Sequence, residues 1–255
     1  MDAASTEMCS STEWNSRTTL AARPESFHFT TAMACVSGLL LLVLMVTAEA
    51  YVGNSSESSF CTETKECLLF DLVCKTSEYE VRHYSPTRWV STEVESYFME
   101  IAVTTAFRRL FKYITGANEN GQKIDMTAPV LVKMQEDRKV LQSSVYTLSF
   151  LLPSAYQKNA PKPTDEKVYF TDMADAMVYV RSYGGWMVSM TERIHSSQLR
   201  KDLDRVQASY GKDFHYAVGY DSPMKLLNRH NEPRSSEGIL DVPAGNQNLL
   251  HAKDA

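Results

Sequence analysis

The sequence predicts an α+β domain in which two similar antiparallel β units, each flanked by one helix, join into a distorted β-barrel. Three observations carry that expectation. Short segments whose apolar residues alternate at every second position surround two longer segments whose apolar residues recur every three or four. Both halves of the chain run in the same order, strands, helix, glycine turn, then a proline-bearing stretch, Asp125 to Val130 (DMTAPV) in the first and Gly219 to Met224 (GYDSPM) in the second. Two sheets, each with one helix across it, bury their apolar faces by joining, which leaves clefts beside the helices.

Length and composition set the outer bounds. A chain of 255 residues, 44% hydrophobic and 22% charged, is ordinary for one or two globular domains, and disorder throughout is excluded. A net charge of −5 without a basic run removes the electrostatic footprint that nucleic-acid binding needs. The sequence contains no G-x-S-x-G, no HExxH and no phosphate-binding glycine loop, so an enzymatic reading finds no support.

Residues 33–50 (MACVSGLLLLVLMVTAEA) hold the only sustained apolar run. A spanning helix needs about 20 apolar residues, whereas a secretory signal needs about 7 to 15 followed by a small-residue cleavage site. Ala48, Glu49 and Ala50 supply that site, so the mature chain is expected to begin at Tyr51, with no stable membrane span. An uncleaved signal-anchor is the competing reading. The preceding residues 1–32 carry four acids against two bases, Arg17 and Arg23, where a positive segment is expected, which points to Met33 as the start. Asn54-Ser55-Ser56 is a glycosylation sequon in an exposed, Ser-rich stretch.

After the signal come three cysteines, Cys61, Cys67 and Cys74, and none in the remaining 181 residues. They read as a local staple of one disulfide with one thiol left over, the pairing open. Zinc is the alternative, disfavoured because no nearby histidine completes a tetrahedral set.

Residues 51–65 are polar and read as a loose lead-in. Tyr79 to Tyr84 (YEVRHY) alternates as a strand, and Trp89 to Val94 follows as a second beyond the Ser85-Pro86 turn. The stretch from Ala102 to Met134 is the centre of the chain. Val103, Phe107, Leu110 and Ile114 recur at helical spacing, with Arg108, Arg109 and Lys112 on the other side. Gly116 ends that helix, and Val130 to Val132 begins a strand. Gln142 to Leu152, Val168 to Phe170 and Ala176 to Tyr183 read as strands; Met190 to Ser209 as a helix with Ile194, Leu199, Leu203 and Val206 as its apolar side; and Phe214 to Tyr220 as a strand. An apolar helix face beside cations suits a planar apolar ligand that carries carboxylates.

Five stretches together resemble the SOUL haem-binding protein family: YEVRHY at Tyr79, Trp89-Val90, KYITG at Lys112, KIDMTAPV at Lys123, and VGYDSPMKLLNR at Val218. The resemblance spans residues 66–232 and is closest to the haem-binding protein 2 branch, through Arg82-His83-Tyr84. It implies a barrel of two repeated units with two helices that binds haem or other tetrapyrroles without known catalysis. It further implies a porphyrin against the first helix, with Phe107 and Phe111 beneath the ring, Lys112 and Lys225 meeting the propionates, and His83 as the iron ligand. Thr104 stands where the family has an arginine. A second function implied by the branch is a protein-interaction module of apoptosis-linked type, acting through the helix that carries Leu199 and Leu203. The family continues past Glu232 with an apolar strand, whereas Pro233 follows here, so the last strand is expected to be missing and residues 233–255 to form a disordered tail.

Overall fold

The computed structural model describes residues 52–136, 142–237 and the backbone of 241–243. The extension, signal and cleavage site expected within residues 1–50 lie outside the described residues.

A two-stranded ribbon, β1 (Val52–Asn54) against β2 (Glu66–Leu68), leads into a sheet of ten strands. These are β3 (Asp71–Lys75), β4 (Glu80–Tyr84), β5 (Thr87–Ser96), β6 (Val130–Gln135), β7 (Ser144–Leu151), β8 (Val168–Met173), β9 (Ala176–Val180), β10 (Phe214–Gly219), β11 (Asn231–Ser236) and β12 (Asp241–Pro243). Helix α1 (Met99–Ile114) joins β5 to β6, and α2 (Ser189–Arg205) joins β9 to β10. The strands lie in the order β12-β8-β5-β7-β6-β10-β11-β9-β4-β3. That order has two free ends, so the expected barrel does not close. What forms instead is an antiparallel sheet whose terminal positions are taken by the short strands β12 and β3.

The inner eight strands carry an internal symmetry. Exchanging β4 with β8, β5 with β9, β6 with β10 and β7 with β11 reproduces the same order in reverse. The β6–β10 pair, six residues in register from Val130↔Gly219 to Phe214↔Gln135, is the seam.

Alternation along the strands separates two faces. On one, Trp89, Leu131, Leu151, Tyr84, Val178 and Val218 form a core without helices. On the other, α1 buries Met99, Ala102, Ala106, Leu110 and Tyr113 against Val90, Val132, Leu148 and Phe150. Alanines at 102 and 106 let the helix axis approach the sheet. Helix α2 buries Leu199 and Leu203 against Tyr79, Val81 and Tyr179. Gly116, at φ 125°, supplies the left-handed residue that ends α1, and the Asn118 side chain then ties Tyr113 O and Gln122 O together.

Three expectations near the chain ends are corrected. The lead-in is built into the domain: β1 pairs with β2, and the Phe60 ring stacks on His230 at 3.9 Å. Cys61 bonds to Cys67, and Cys74 is not a leftover thiol. The last strand is present, because β11 runs through Pro233 between β10 and β9. In an antiparallel ladder a residue directs its N–H and C=O to the same neighbour. Pro233 O accepts from Arg181 N, just past the end of β9 at Val180, so the ring nitrogen faces the frayed end of a strand and costs no ladder bond to β10.

Candidate functional site

The outward face of α1 is built by helical spacing. Phe107 and Phe111, four apart, stand one above the other with near-parallel rings, 14° between planes and 6.0 Å between centroids. Phe107 is half-buried and anchored edge-on to Phe150 of β7 at 5.0 Å. Phe111 is 47% exposed, so the shelf that begins in the core ends in solvent. Partly buried Val103, Met126, Val130 and Met187 pack against the same core cluster as Phe107.

The cations divide by direction. Residues one apart on a helix point about 100° apart, whereas those three or four apart are neighbours. Arg108 is therefore next to Phe111 and Lys112 is next to Arg108; both are exposed, and neither forms an ion pair among the described residues. Arg109 points the other way. Its guanidinium donates to Thr92 Oγ1 (2.6 Å) and Glu93 O (3.1 Å) and lies 3.9 Å from Asp165, which commits it to the sheet. Thr104, in the place of the family's arginine, donates to Glu100 O within its own helix.

Lys225 stands in a closed loop. Its ammonium donates to the fully buried Asp221 carboxylate (2.5 Å) and to Thr62 (3.1 Å), while Asp221 also accepts the His230 amide (2.6 Å). Arg229 staples the same loop by donating to Ser222 O and Lys225 O, both at 2.7 Å, with its guanidinium 4.4 Å over the Trp186 ring. No hydrogen bond or ion pair joins this loop to α1 among the described residues. Lys225 thus carries a charge already balanced.

His83 is placed elsewhere. It lies on β4, six positions from β5 in the strand order, whereas α1 packs over β5, β7 and β8. Its Nε2 is 2.8 Å from Asp175 and its Nδ1 3.5 Å from Asp71, so both ring nitrogens face carboxylates. The structure brings Phe107, Phe111 and Lys112 together and leaves His83 and Lys225 apart from them.

Arg108, one of the three cations the sequence sets beside the apolar face, joins the shelf through its three-residue spacing to Phe111, whereas two residues escaped the sequence reading. Trp186 and Met187 precede α2 without periodicity, and only the tertiary fold sets Met187 against the core beneath α1. The apolar side assigned to α2 also shifts, because Leu199 and Leu203 are buried while Ile194 is 56% exposed.

Among the described residues no helix is long and apolar enough to cross a membrane. Comparison with known proteins matches residues 65–232 to the SOUL heme-binding protein family. Heme-binding protein 2 of Homo sapiens is 38% identical over 154 residues, 60% of this chain and 75% of that protein. Heme-binding protein 1 of Xenopus tropicalis is 34% identical over 155 residues, 60% of this chain and 80% of that protein. Among solved structures, the EcmrR C-terminal domain superposes with a TM-score of 0.47 at 10% identity, over 67% of this chain and 99% of that domain. Since the family match takes in more than half of the sequence and covers both helices and the seam between them, the chain belongs to the SOUL heme-binding protein family.

Proposed function

We propose that this protein is a secreted, non-enzymatic binder of haem or a related porphyrin, held along the outward face of α1. The observation that carries the reading is the Phe107–Phe111 shelf, parallel within 14° and half open to solvent, with Arg108 and Lys112 exposed at its edge and without an ion pair among the described residues. A flat macrocycle with two carboxylates matches that set. Burial of the ring on two phenyl faces supplies apolar contact, and the two cations supply charge complementarity at an exposed rim. Haem, when bound, supplies the iron chemistry; the chain's own residues hold and orient the ring. Lys225 stays with Asp221, and we leave His83 outside the site because two aspartates occupy its nitrogens.

Secretion is supported by the short apolar run that ends in Ala48-Glu49-Ala50 and by the exposed sequon asparagine. The Asn54 side chain accepts from Ser56 N through its oxygen, which leaves its amide nitrogen for a glycan. Duplication of one ancestral β unit is supported by the reversible strand order. The interaction-module reading is weaker, because Leu199 and Leu203, the residues that would enter a partner's groove, are buried.

The test is haemin titration of the purified secreted chain. A saturable Soret shift at micromolar protein is expected, and no shift would remove the function.

A further inference from the structure

A second cleft lies at the other end of the β6–β10 seam. Where the α1 shelf faces the segment that leads into α2, this cleft lies between the start of α1 and the first turns of α2, over the Met134↔His215 end of the seam. Its volume is about 820 Å³, and its walls are Tyr97 and Phe98 on one side and Met190 and Ile194 on the other. These four large apolar side chains are 62%, 63%, 73% and 56% exposed. A concentration of this kind around one concavity marks a binding surface rather than random exposure.

The floor is polar and balanced within itself. His215 is buried and donates or accepts through Nδ1 at 2.6 Å from Glu136, with Glu192 Oε1 3.4 Å from its Nε2. Arg200 pairs with Glu136, and Tyr183 donates to Glu192 (2.7 Å). Two carboxylates therefore meet a guanidinium and a histidine. Glu100 of the first turn of α1 accepts from Ser189 N (2.8 Å) and Ser189 Oγ (2.7 Å) at the start of α2, and Arg193 lines the cleft, is exposed, and forms no ion pair among the described residues.

We propose that this cleft is a separate site for a long-chain fatty carboxylate, with the hydrocarbon between the Tyr97/Phe98 and Met190/Ile194 walls and the carboxylate on Arg193. A cation without an ion pair among the described residues, beside a balanced floor and a carboxylate already held by Ser189, matches a monoanion. A porphyrin needs partners for two carboxylates and finds them on α1 instead. The proposal stands whether or not α1 binds haem.

The test uses the full chain, with oleate as the probe below its self-association limit and oleyl alcohol as the uncharged control, read by calorimetry. Oleate is expected to bind one to one and more tightly than the alcohol. Arg193→Glu should weaken oleate about tenfold, the order expected when attraction to a partly desolvated charge becomes repulsion, and should leave the alcohol unchanged. Ile194→Asp should weaken both ligands. The two positions are exposed, so melting temperature should hold in each variant and confirm that the fold survives. Haemin affinity should be the same in both variants as in the parent chain. Oleate binding that is insensitive to both changes overturns the proposal, as does oleate that is displaced by haemin and lost in Phe111→Asp, which would move it to the α1 face.

Discussion

The Arg82 guanidinium lies 2.9 Å from Glu232, 150 residues away along the chain, and neither side chain is exposed. Glu232 also accepts from Arg234 at 2.8 Å and contacts His230 at 2.7 Å, with the Tyr84 and Tyr220 hydroxyls completing the group. One carboxylate thus holds two buried guanidinium groups from β4 and β11. Its removal strands Arg234, whereas Arg82 keeps the Glu80 carboxylate at 2.7 Å. Glu232→Gln should cost about 3 to 5 kcal/mol, as expected when a buried pair loses one member, and a urea midpoint shifted by less than a tenth of the parent value would show that the arginines find other partners.

The same carboxylate sets an acid limit. Arg234 and Arg82 hold the Glu232 carboxyl far below its usual 4.5, against the opposing effect of burial. A depressed folded value gives stability that is present above the unfolded value and lost as pH falls below it. Melting temperature should therefore decline steadily below about pH 4.5, and the decline should be shallower in Glu232→Gln.

His215 sets a limit at the alkaline side. Burial lowers its pKa, but the hydrogen bond to Glu136 and the charge of Glu192 outweigh it and raise the ring to about 9 from 6.5. A raised folded value gives stability that is complete below 6.5 and lost as pH rises toward 9. The whole contribution is of order 3 kcal/mol. Denaturant midpoints should fall across that window in the parent chain and stay flat in His215→Gln; the same slope in both proteins would assign it to another group.

The sequence carries the elements with strong periodicity and loses those held by tertiary contact. Helix α1 and strands β4, β5, β7 and β10 are legible because their apolar residues repeat against a polar background. Strand β11 (NEPRSS) shows no apolar alternation at all: all six of its residues are buried, and Glu232 and Arg234 are satisfied by each other and by Arg82 of β4 and Tyr220. No local rule anticipates that. The barrel expectation fails for a similar reason, since closure depends on which strands meet at the ends, and β12 and β3 take those places. At the site, spacing alone places Phe107, Phe111, Arg108 and Lys112 together, whereas the neutralisation of Lys225 depends on Asp221 being buried by the fold.

His83 and Lys225 give a paired negative prediction. With Asp175 and Asp71 on its ring nitrogens, His83→Ala should leave the Soret position of the haemin complex unchanged. Lys225→Ala should change haemin affinity by less than about twofold, because Asp221 already balances the ammonium. A Soret displacement in the first variant would bring β4 back into the site.

The shelf and its rim are separable by salt. Phe111 is half exposed in the free protein, so Phe111→Ala should leave the melting temperature nearly unchanged while weakening haemin by about 1 to 2 kcal/mol, a loss that does not depend on ionic strength. Phe107→Ala removes a ring that is also packed on Phe150, and should lower both stability and affinity. Arg108→Ala and Lys112→Ala act on exposed charges, each worth about 0.5 to 1 kcal/mol at low salt and less at 0.5 M, where screening reaches only a few ångström. Haemin affinity of the parent chain should therefore fall with added salt, and that fall should vanish in the Arg108→Ala, Lys112→Ala double variant. A salt dependence that survives in the double variant would move the carboxylate partners off α1 and leave the phenylalanine shelf as a surface for the ring alone.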